Sequence, residues 1–284
     1  MEIRTVNIDD PNYPEILRSI KNPPKRLYYM GNIGLLSTLC VSLVGSRKTS
    51  DYGYWVANNV SKRLVDHNVT VVSGMAKGID TFAHRGTIKN NGKTIAVLGT
   101  GIDLVFPSEN KALRDEIAKK GLIVSEYPPG YEGNKWTFPA RNRIISGLSV
   151  ATVVCEAGLH SGAMITAEFA ESENRLLYAV PGNINNIYNM GNNKLIADGA
   201  MPLIVIDDLI ADLGINKKII KEQDVLLGDD EKIIMRELVK CGEITIEQLC
   251  TRVKMKPAIV NGIVTILEMK GIANTSLGKV FIAK

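Results

Sequence analysis

From residue 39 onward, short apolar runs alternate with longer amphipathic ones. Residues 39–44, 69–72, 94–98, 122–124, 151–154 and 176–180 are brief, rich in β-branched side chains and bounded by Gly, Pro or Ser, which predicts buried strands. Residues 54–65, 111–119 and 163–173 lie between them with helical period. Strand, turn, helix and strand at this spacing build βαβ units. The expectation is an α/β fold, a doubly wound, mainly parallel Rossmann-like sheet covered on both faces. Such sheets bind ligands at the carboxyl ends of their strands.

The two ends of the chain read differently. Asp10-Pro11-Asn12-Tyr13-Pro14 and Lys21-Asn22-Pro23-Pro24 are turn-like segments around a short helix at 15–20, so residues 1–38 read as a lead-in packed on a domain spanning 39–214. Residues 215–230 are charged and read as a linker to a small domain at 231–284. That domain has helical segments at 232–240 and 246–253, then a third helix opening at Pro257 and running to 269. Residues 272–283 split around Ser276-Leu277-Gly278-Lys279 into a hairpin. Three helices followed by a hairpin predict a winged helix.

Composition narrows the class without deciding it. The 284 residues are 45% hydrophobic and 23% charged, as in ordinary globular proteins. A net charge of +4 is only mildly basic, so a nucleic-acid partner requires positive charge gathered locally. Cys40, Cys155, Cys241 and Cys250 form no CxxC pair, which argues against a disulfide framework or zinc site and fits a reducing cytosol. The chain opens on Met1-Glu2-Ile3-Arg4, with no apolar leader. No run approaches the ~18 apolar residues of a membrane span. A cytoplasmic protein with no membrane partner is expected.

The informative chemistry follows the strands. Gly45-Ser46-Arg47, Ser73-Gly74-Met75-Ala76-Lys77-Gly78-Ile79-Asp80, Gly99-Thr100-Gly101, Glu156-Ala157-Gly158 with Ser161-Gly162-Ala163, and Pro181-Gly182-Asn183 each occupy a strand's carboxyl end. Glycines there let the backbone approach a ligand, and free amides at a helix start hold an anion. Several such loops at one sheet edge make a phosphate-binding surface, although any one alone reads as structural. Gly99-Thr100-Gly101 lacks the third glycine of a dinucleotide fingerprint, since Leu104 stands there, and no GxxxxGK[ST] occurs. Lys135-Trp136-Thr137-Phe138-Pro139-Ala140-Arg141-Asn142-Arg143 holds three cations and two aromatics with no acid. Cations suit phosphate and rings stack on bases, a mixture closer to a single-strand site than to a duplex reader. The alternative is that Trp136 and Phe138 anchor a loop in the core while the arginines pair with carboxylates such as Glu126 or Glu156.

For an enzyme, the parts are missing. There is no GxSxG, and His67, His84 and His160 have no evident partners; His84 reads as a structural histidine. No His/Cys/Asp cluster has ligand spacing, so no catalytic residue, metal or cofactor is assigned. Glu156 and Glu168 flank the fifth loop, and Thr166-Ala167-Glu168 resembles nucleotide-monophosphate phosphoribohydrolases, although Ser161-Gly162-Ala163-Met164 replaces their Gly-Gly-x-Gly-Thr motif. A nucleotide-processing enzyme of that kind is the alternative reading. A nucleotide sensor whose winged helix binds duplex DNA is a third, disfavoured by a third helix that lacks Arg and Lys.

Several motifs, in order, resemble the bacterial DprA/Smf DNA-processing family. They are Gly45-Ser46-Arg47, Ser73-Gly74-Met75-Ala76-Lys77-Gly78-Ile79-Asp80, Ala83-His84-Arg85-Gly86, Ser125-Glu126-Tyr127-Pro128-Pro129-Gly130, the run from Phe138-Pro139-Ala140-Arg141-Asn142-Arg143 to Ser149, Ser161-Gly162-Ala163-Met164-Ile165-Thr166-Ala167 and Pro181-Gly182-Asn183. The resemblance covers about residues 10–213. It implies an extended Rossmann fold that binds single-stranded DNA, forms homodimers and loads the RecA recombinase, as in natural transformation, with no catalytic turnover. By family pattern Arg47 holds a phosphate beside the loop amides of Gly45, Ser46, Ser73 and Gly74. Lys135 and Arg143 line the same basic pocket, Phe138 lies near the bases, and Ser161 and Gly162 offer helix-start amides. Lys77, Arg141, Asn142 and Lys194 complete the expected site. Many members also carry an N-terminal helical domain of the SAM type, which is not expected among these residues, since the lead-in opens at once on the turn-like segments. The winged helix, whose third helix has Glu268 as its only charge, is expected to be a protein-contact or accessory module.

Overall fold

Burial on both faces explains why the apolar runs line up as the middle of one sheet. The computed structural model describes residues 2–215, 228–270, 272–276 and 278–282. In chain order its first elements are β1 (Arg4–Asn7), α1 (Glu15–Arg18), β2 (Arg26–Gly31), β3 (Cys40–Gly45), α2 (Asp51–Asp66), β4 (Thr70–Ser73), α3 (Ile79–Lys89) and β5 (Thr94–Leu98). Then come α4 (Lys111–Lys120), β6 (Leu122–Ser125), α5 (Thr137–Gly147), β7 (Ala151–Glu156), α6 (Gly162–Ser172), β8 (Leu176–Ala179), α7 (Met190–Ala197), β9 (Met201–Pro202) and α8 (Ile206–Asp212). The sheet order is β1-β2-β6-β5-β4-β3-β7-β8-β9. From β3 the chain winds outward through β4, β5 and β6, then crosses back to lay β7, β8 and β9 on the other side. All of these pairs are parallel. The winding therefore reverses between β3 and β7, and a crevice opens beyond their carboxyl ends.

Side chains alternate between the two faces as the pleat requires. Val44, Val72, Ile95, Val97 and Val154 join Leu17 of α1, Ile144 of α5 and Ala167 of α6 in one apolar cluster. Val41, Leu43, Val71 and Val153 instead meet Val60 of α2, Ile79 of α3 and Leu209 of α8. Farther along that second face, Ala96, Leu98 and Ile123 pack on Ile117 of α4. Ser42 and Thr152 are buried between adjacent strands and share a 2.8 Å hydrogen bond, so neither hydroxyl is stranded.

The lead-in does more than pack on the domain. β1 pairs antiparallel with β2, and β2 pairs antiparallel with β6, so residues expected as turns and one helix extend the sheet by two strands. The strands gave no signal because their burial does not alternate. In β2 only Leu27 and Met30 are buried, three residues apart, and in β1 only Val6 is. A second difference matters more for the site. The basic and aromatic run expected as a loop folds into α5 from Thr137 onward, with Asn134 accepting the Trp136 and Thr137 amides at 2.8 and 3.3 Å ahead of the first turn.

Two compact units result, Met1–Asn216 and Lys217–Lys284. Most of the expected linker, residues 216–227, lies outside the described residues. The second unit contains α9 (Asp229–Cys241), β10 (Glu243–Thr245), α10 (Ile246–Val253), α11 (Pro257–Met269), β11 (Ala273–Ser276) and β12 (Lys279–Ile282), with sheet order β10-β12-β11. This is a winged helix closed by a short extra strand, β10. Helix α9 starts three residues before the expected 232, because the Gly228 amide donates to the Glu231 carboxylate at 2.7 Å and caps it. Ile234, Leu238, Leu249, Val260, Leu267 and Val280 form a core of their own. Among the described residues no helix is long and apolar enough to cross a membrane.

Candidate nucleic-acid interface

A cleft of about 710 Å³ lies where the winding reverses. Gly45, Ser46, Arg47 and Lys48, which follow β3, form one wall. Gly158, Leu159, His160, Ser161 and Gly162, which lead into α6, form the opposite wall. Phe138, Arg141, Asn142 and Ile145 of α5 line it as well, and Ile187, Tyr188 and Met190 close one side. A smaller cavity of about 80 Å³ adjoins it between Arg47, Lys77, Phe106 and Phe138.

The glycines after the strands divide into two kinds. At Gly78, φ is +74° and a methyl group would stand 2.2 Å from the Ser46 carbonyl oxygen and 2.7 Å from that of Arg47. Only glycine lets the two loops touch there. A methyl at Gly45 would strike Ile79, one at Gly74 would strike Asp80 and Arg141, and one at Gly99 would strike Phe138. These glycines therefore serve the contact of loop on loop and give the cleft its shape. Gly162 differs, because nothing lies within 4 Å of a methyl placed there. It is the first residue of α6, whose preceding Ser161 accepts the Ala163 amide at 3.3 Å. The opening of an eleven-residue helix, with its positive dipole end, faces the cleft.

Charge is distributed unevenly around this opening. Arg47 and Lys48 are exposed on the cleft wall, and among the described residues neither side chain has a hydrogen bond or ion pair. Arg141 is buried instead. Its Nη1 donates to the Gly74 carbonyl at 2.6 Å and to the Val97 carbonyl, tying α5 to the ends of β4 and β5. Burial lowers its pKa to about 10, opposed by Asp80 and reinforced by Arg47, so it stays protonated at neutral pH. Asp80 accepts the Gly74 and Ala76 amides at 3.1 and 3.3 Å. Burial raises its pKa, with Arg141 and those amides pulling the other way. A buried cation thus lies beneath the cleft, and open cations stand above it.

Helical geometry splits the run 135–143. Residues two apart on a helix point about 200° away from each other. Arg141 and Asn142 face the cleft, and the Asn142 amide donates to the Gly162 carbonyl at 3.2 Å. Arg143 points elsewhere, bonding Glu126 at 2.7 Å, the Asn22 carbonyl at 2.9 Å and the Ala140 carbonyl at 3.2 Å. The pairing with Glu126 is the structural alternative weighed from the sequence. Phe138 borders both cavities and packs on Phe106 with ring centroids 5.0 Å apart. Lys135 sits over the Trp136 ring, 5.0 Å from its centroid, outside the cleft lining. Lys77 pairs with Glu109, and Lys194 on α7 pairs with Asp198, both at the surface. Ser73 is buried, its hydroxyl donating to the Leu43 carbonyl at 2.7 Å.

Lys48, His160, Ile187 and Met190 line the cleft without having been expected there. Lys48 adjoins Arg47 and was legible on that ground, whereas nothing in the local sequence marks Ile187 or Met190. The carboxylates of the hydrolase alternative are poorly placed. Glu156 is buried and accepts the Thr49 hydroxyl at 2.7 Å, the Ser50 amide at 2.8 Å and the Ser50 hydroxyl at 2.5 Å, so it fixes the start of α2. Glu168 lies on the exposed side of α6 and does not line the cleft.

Comparison with known proteins agrees with the fold. The family described as DNA recombination-mediator protein A matches residues 4–214. A protein Smf of Synechocystis sp. is 42% identical over 227 residues, 78% of this chain, and the match spans 57% of that relative's length. The X-ray structure of DNA processing protein A from Streptococcus pneumoniae superposes with a TM-score of 0.71 at 42% identity, covering 75% of each chain. The Helicobacter pylori DNA processing protein A, whose structure concerns its single-stranded DNA binding mode, gives 0.69 at 31% identity over 75% of this chain and 96% of that one. With the doubly wound sheet, the ordered loop motifs and these matches in agreement, the chain belongs to the DNA recombination-mediator protein A family, DprA/Smf.

Proposed function

We propose that the cleft grips the phosphate backbone of single-stranded DNA, and that the chain acts as a homodimer to protect the strand and hand it to the RecA recombinase. The observation that carries this reading is Arg47, an exposed guanidinium without a protein partner among the described residues, opposite the open start of α6. Arg47 and Lys48 meet one phosphate edge, while the Gly162 amide and the helix dipole meet the other. Phe138 offers a ring to a base beside them. Gly45, Ser46, Ser73, Gly74, Arg141 and Asn142 hold the walls in place. Lys77, Lys135 and Lys194 add longer-range attraction. The ion pairs of Lys77 and Lys194 are exposed surface pairs, weakened by solvent screening, so either can be exchanged for phosphate at little cost. Arg143, held by three partners, belongs to the scaffold. The likeness to the Helicobacter pylori protein supports a single strand as the ligand.

Fluorescence anisotropy with labelled single-stranded and duplex oligonucleotides of equal length, at two salt concentrations, tests the site. Arg47→Ala is expected to weaken single-strand binding about 10-fold or more, as for loss of a charged hydrogen bond, and to reduce the salt slope by about 0.7. Arg143→Ala is expected to lower the melting temperature and leave the salt slope as it was. Unchanged affinity in Arg47→Ala rejects the cleft as the binding site. Recombinase loading is then read as faster RecA filament growth on a strand coated with single-strand-binding protein.

A further inference from the structure

Helix α2 buries one face completely, through Val56, Ala57, Val60 and Leu64, and exposes three large aromatics, of which Tyr54 packs edge-on against Phe82 while Tyr52 and Trp55 share another face. Trp55 is 57% exposed and Tyr52 42%. Their rings lie nearly parallel, 9° apart in plane with centroids separated by 6.4 Å. The Tyr52 hydroxyl donates to the Pro181 carbonyl at 3.1 Å, which fixes this ring beside the chain leaving β8, at the same sheet edge as the cleft. Lys48, already on the cleft wall, precedes Tyr52 by four positions.

Tyr52, Trp55, Asn59 and Lys62 follow one another at spacings of three and four, so they line one face of α2 over about 15 Å. Asn59 is held in place by donating to the Trp55 carbonyl at 2.8 Å. Lys62 is exposed, with no ion pair among the described residues. Between Asp51 and Asp66 the helix has cations but no acid. Exposed tyrosine and tryptophan with a polar rim also suit a protein interface, and what favours a strand here is continuity with the cleft, through Lys48 and the Tyr52–Pro181 hydrogen bond. Exposed Asp51 stands four positions before Trp55 at the opening of the helix, and the Asn59 amide and the Lys62 ammonium follow the rings, so the rings, amide and cation that suit stacked bases and a phosphate chain lie beyond the first turn.

We infer that a single strand leaves the cleft past Lys48 and continues over the outer face of α2, with bases stacking on Tyr52 and Trp55 and its backbone passing Lys62. This extension rests on the cleft reading above and lengthens the site it describes. A short oligonucleotide fills the cleft alone, and a longer one also covers α2.

Trp55 and Trp136 are the two tryptophans of the chain, so Trp136→Phe leaves Trp55 as the single indole reporter. In that background, intrinsic fluorescence and anisotropy are followed with oligothymidylates of about 6 and about 20 nucleotides, which bracket typical single-strand site sizes. The long oligonucleotide is expected to quench Trp55 and the short one to leave it unchanged. Trp55→Ala is expected to weaken binding of the long strand at least about 5-fold with the short strand unaffected, while Trp55→Phe retains the length preference. Because the residue is exposed, melting temperatures are expected to match across these variants. Absence of quenching together with equal affinities in Trp55→Ala overturns the extension, and a loss of binding in Arg47→Ala in the same series leaves the cleft standing. If Arg47→Ala changes neither length, the cleft reading falls and the extension falls with it. If Trp55→Ala instead alters the sedimentation of the free protein and not the length dependence, the ring face is a protein contact and the inference is wrong.

Discussion

At the residue scale, His84 shows how the buried scaffold sets a pH limit on the protein. It is fully buried in α3, with Nδ1 2.7 Å from the Thr94 hydroxyl. Burial, with Arg141 adding to it, pushes its pKa down to about 3, so the folded protein holds it neutral. In the unfolded chain it titrates near 6.5. The stability this difference represents is fully present above about pH 6.5 and drains away as the pH falls toward 3. Between pH 7 and pH 5 the loss is about 2 kcal/mol. His67, also lowered by burial, acts in the same sense, whereas Asp80, raised by burial, acts against it. Urea unfolding at the two pH values should therefore show a shallower pH dependence in His84→Gln than in the unaltered chain, and equal slopes would place the effect elsewhere. The sequence identified His84 as structural. It also placed Arg47 at the carboxyl edge of the sheet, because Gly45-Ser46-Arg47 follows a strand run at once. The separate fates of Arg141 and Arg143 were not legible, because they depend on which residue begins the helix.

At the element scale, the same glycine signal carries two meanings that only packing distinguishes. Gly78 joins the turn after β4 to the loop after β3, at positive φ and with a carbonyl oxygen where a side chain would stand. Gly78→Ala is expected to cost about 2 kcal/mol or more through backbone strain and collision, and to weaken single-strand binding by displacing Arg47. Gly162 meets open space at the first position of α6, so Gly162→Ala should leave the melting temperature unchanged or slightly raised. Paired thermal melts compare the two, and equal destabilisation would show that Gly162 is also a packing residue. The strands of the parallel core were legible because every residue from Cys40 to Val44 and from Ala151 to Glu156 is buried, giving runs that are apolar apart from Ser42, Thr152 and the terminal Glu156. β1 and β2 were not, because a strand with only one or two buried residues has neither alternation nor a run to show.

At the scale of the whole molecule, the site and the winged helix are separable. The cleft draws its lining from Val44 to Met190, all within the first unit. Among the described residues, the apolar clusters of that unit run as far as Ile215, and those of the second unit from Ile234 to Ile282. Each unit thus has a hydrophobic core of its own. The exposed residues of α11 include Ile259, Ile266 and Met269 beside Asn261 and Thr265, and none of these offers a phosphate a positive charge. A chain ending at Asn216 is accordingly expected to bind a single strand within about 3-fold of the full protein and with the same salt slope, since no phosphate contact is removed. Anisotropy of the two forms side by side checks this. A loss beyond about 10-fold, accompanied by a lower slope, would count lost phosphate contacts and make the winged helix part of the DNA interface despite its apolar third helix. Equal binding with diminished RecA filament growth would instead assign the apolar face to a protein. The cleft would then hold the strand, and the second unit would contact the machinery that receives it.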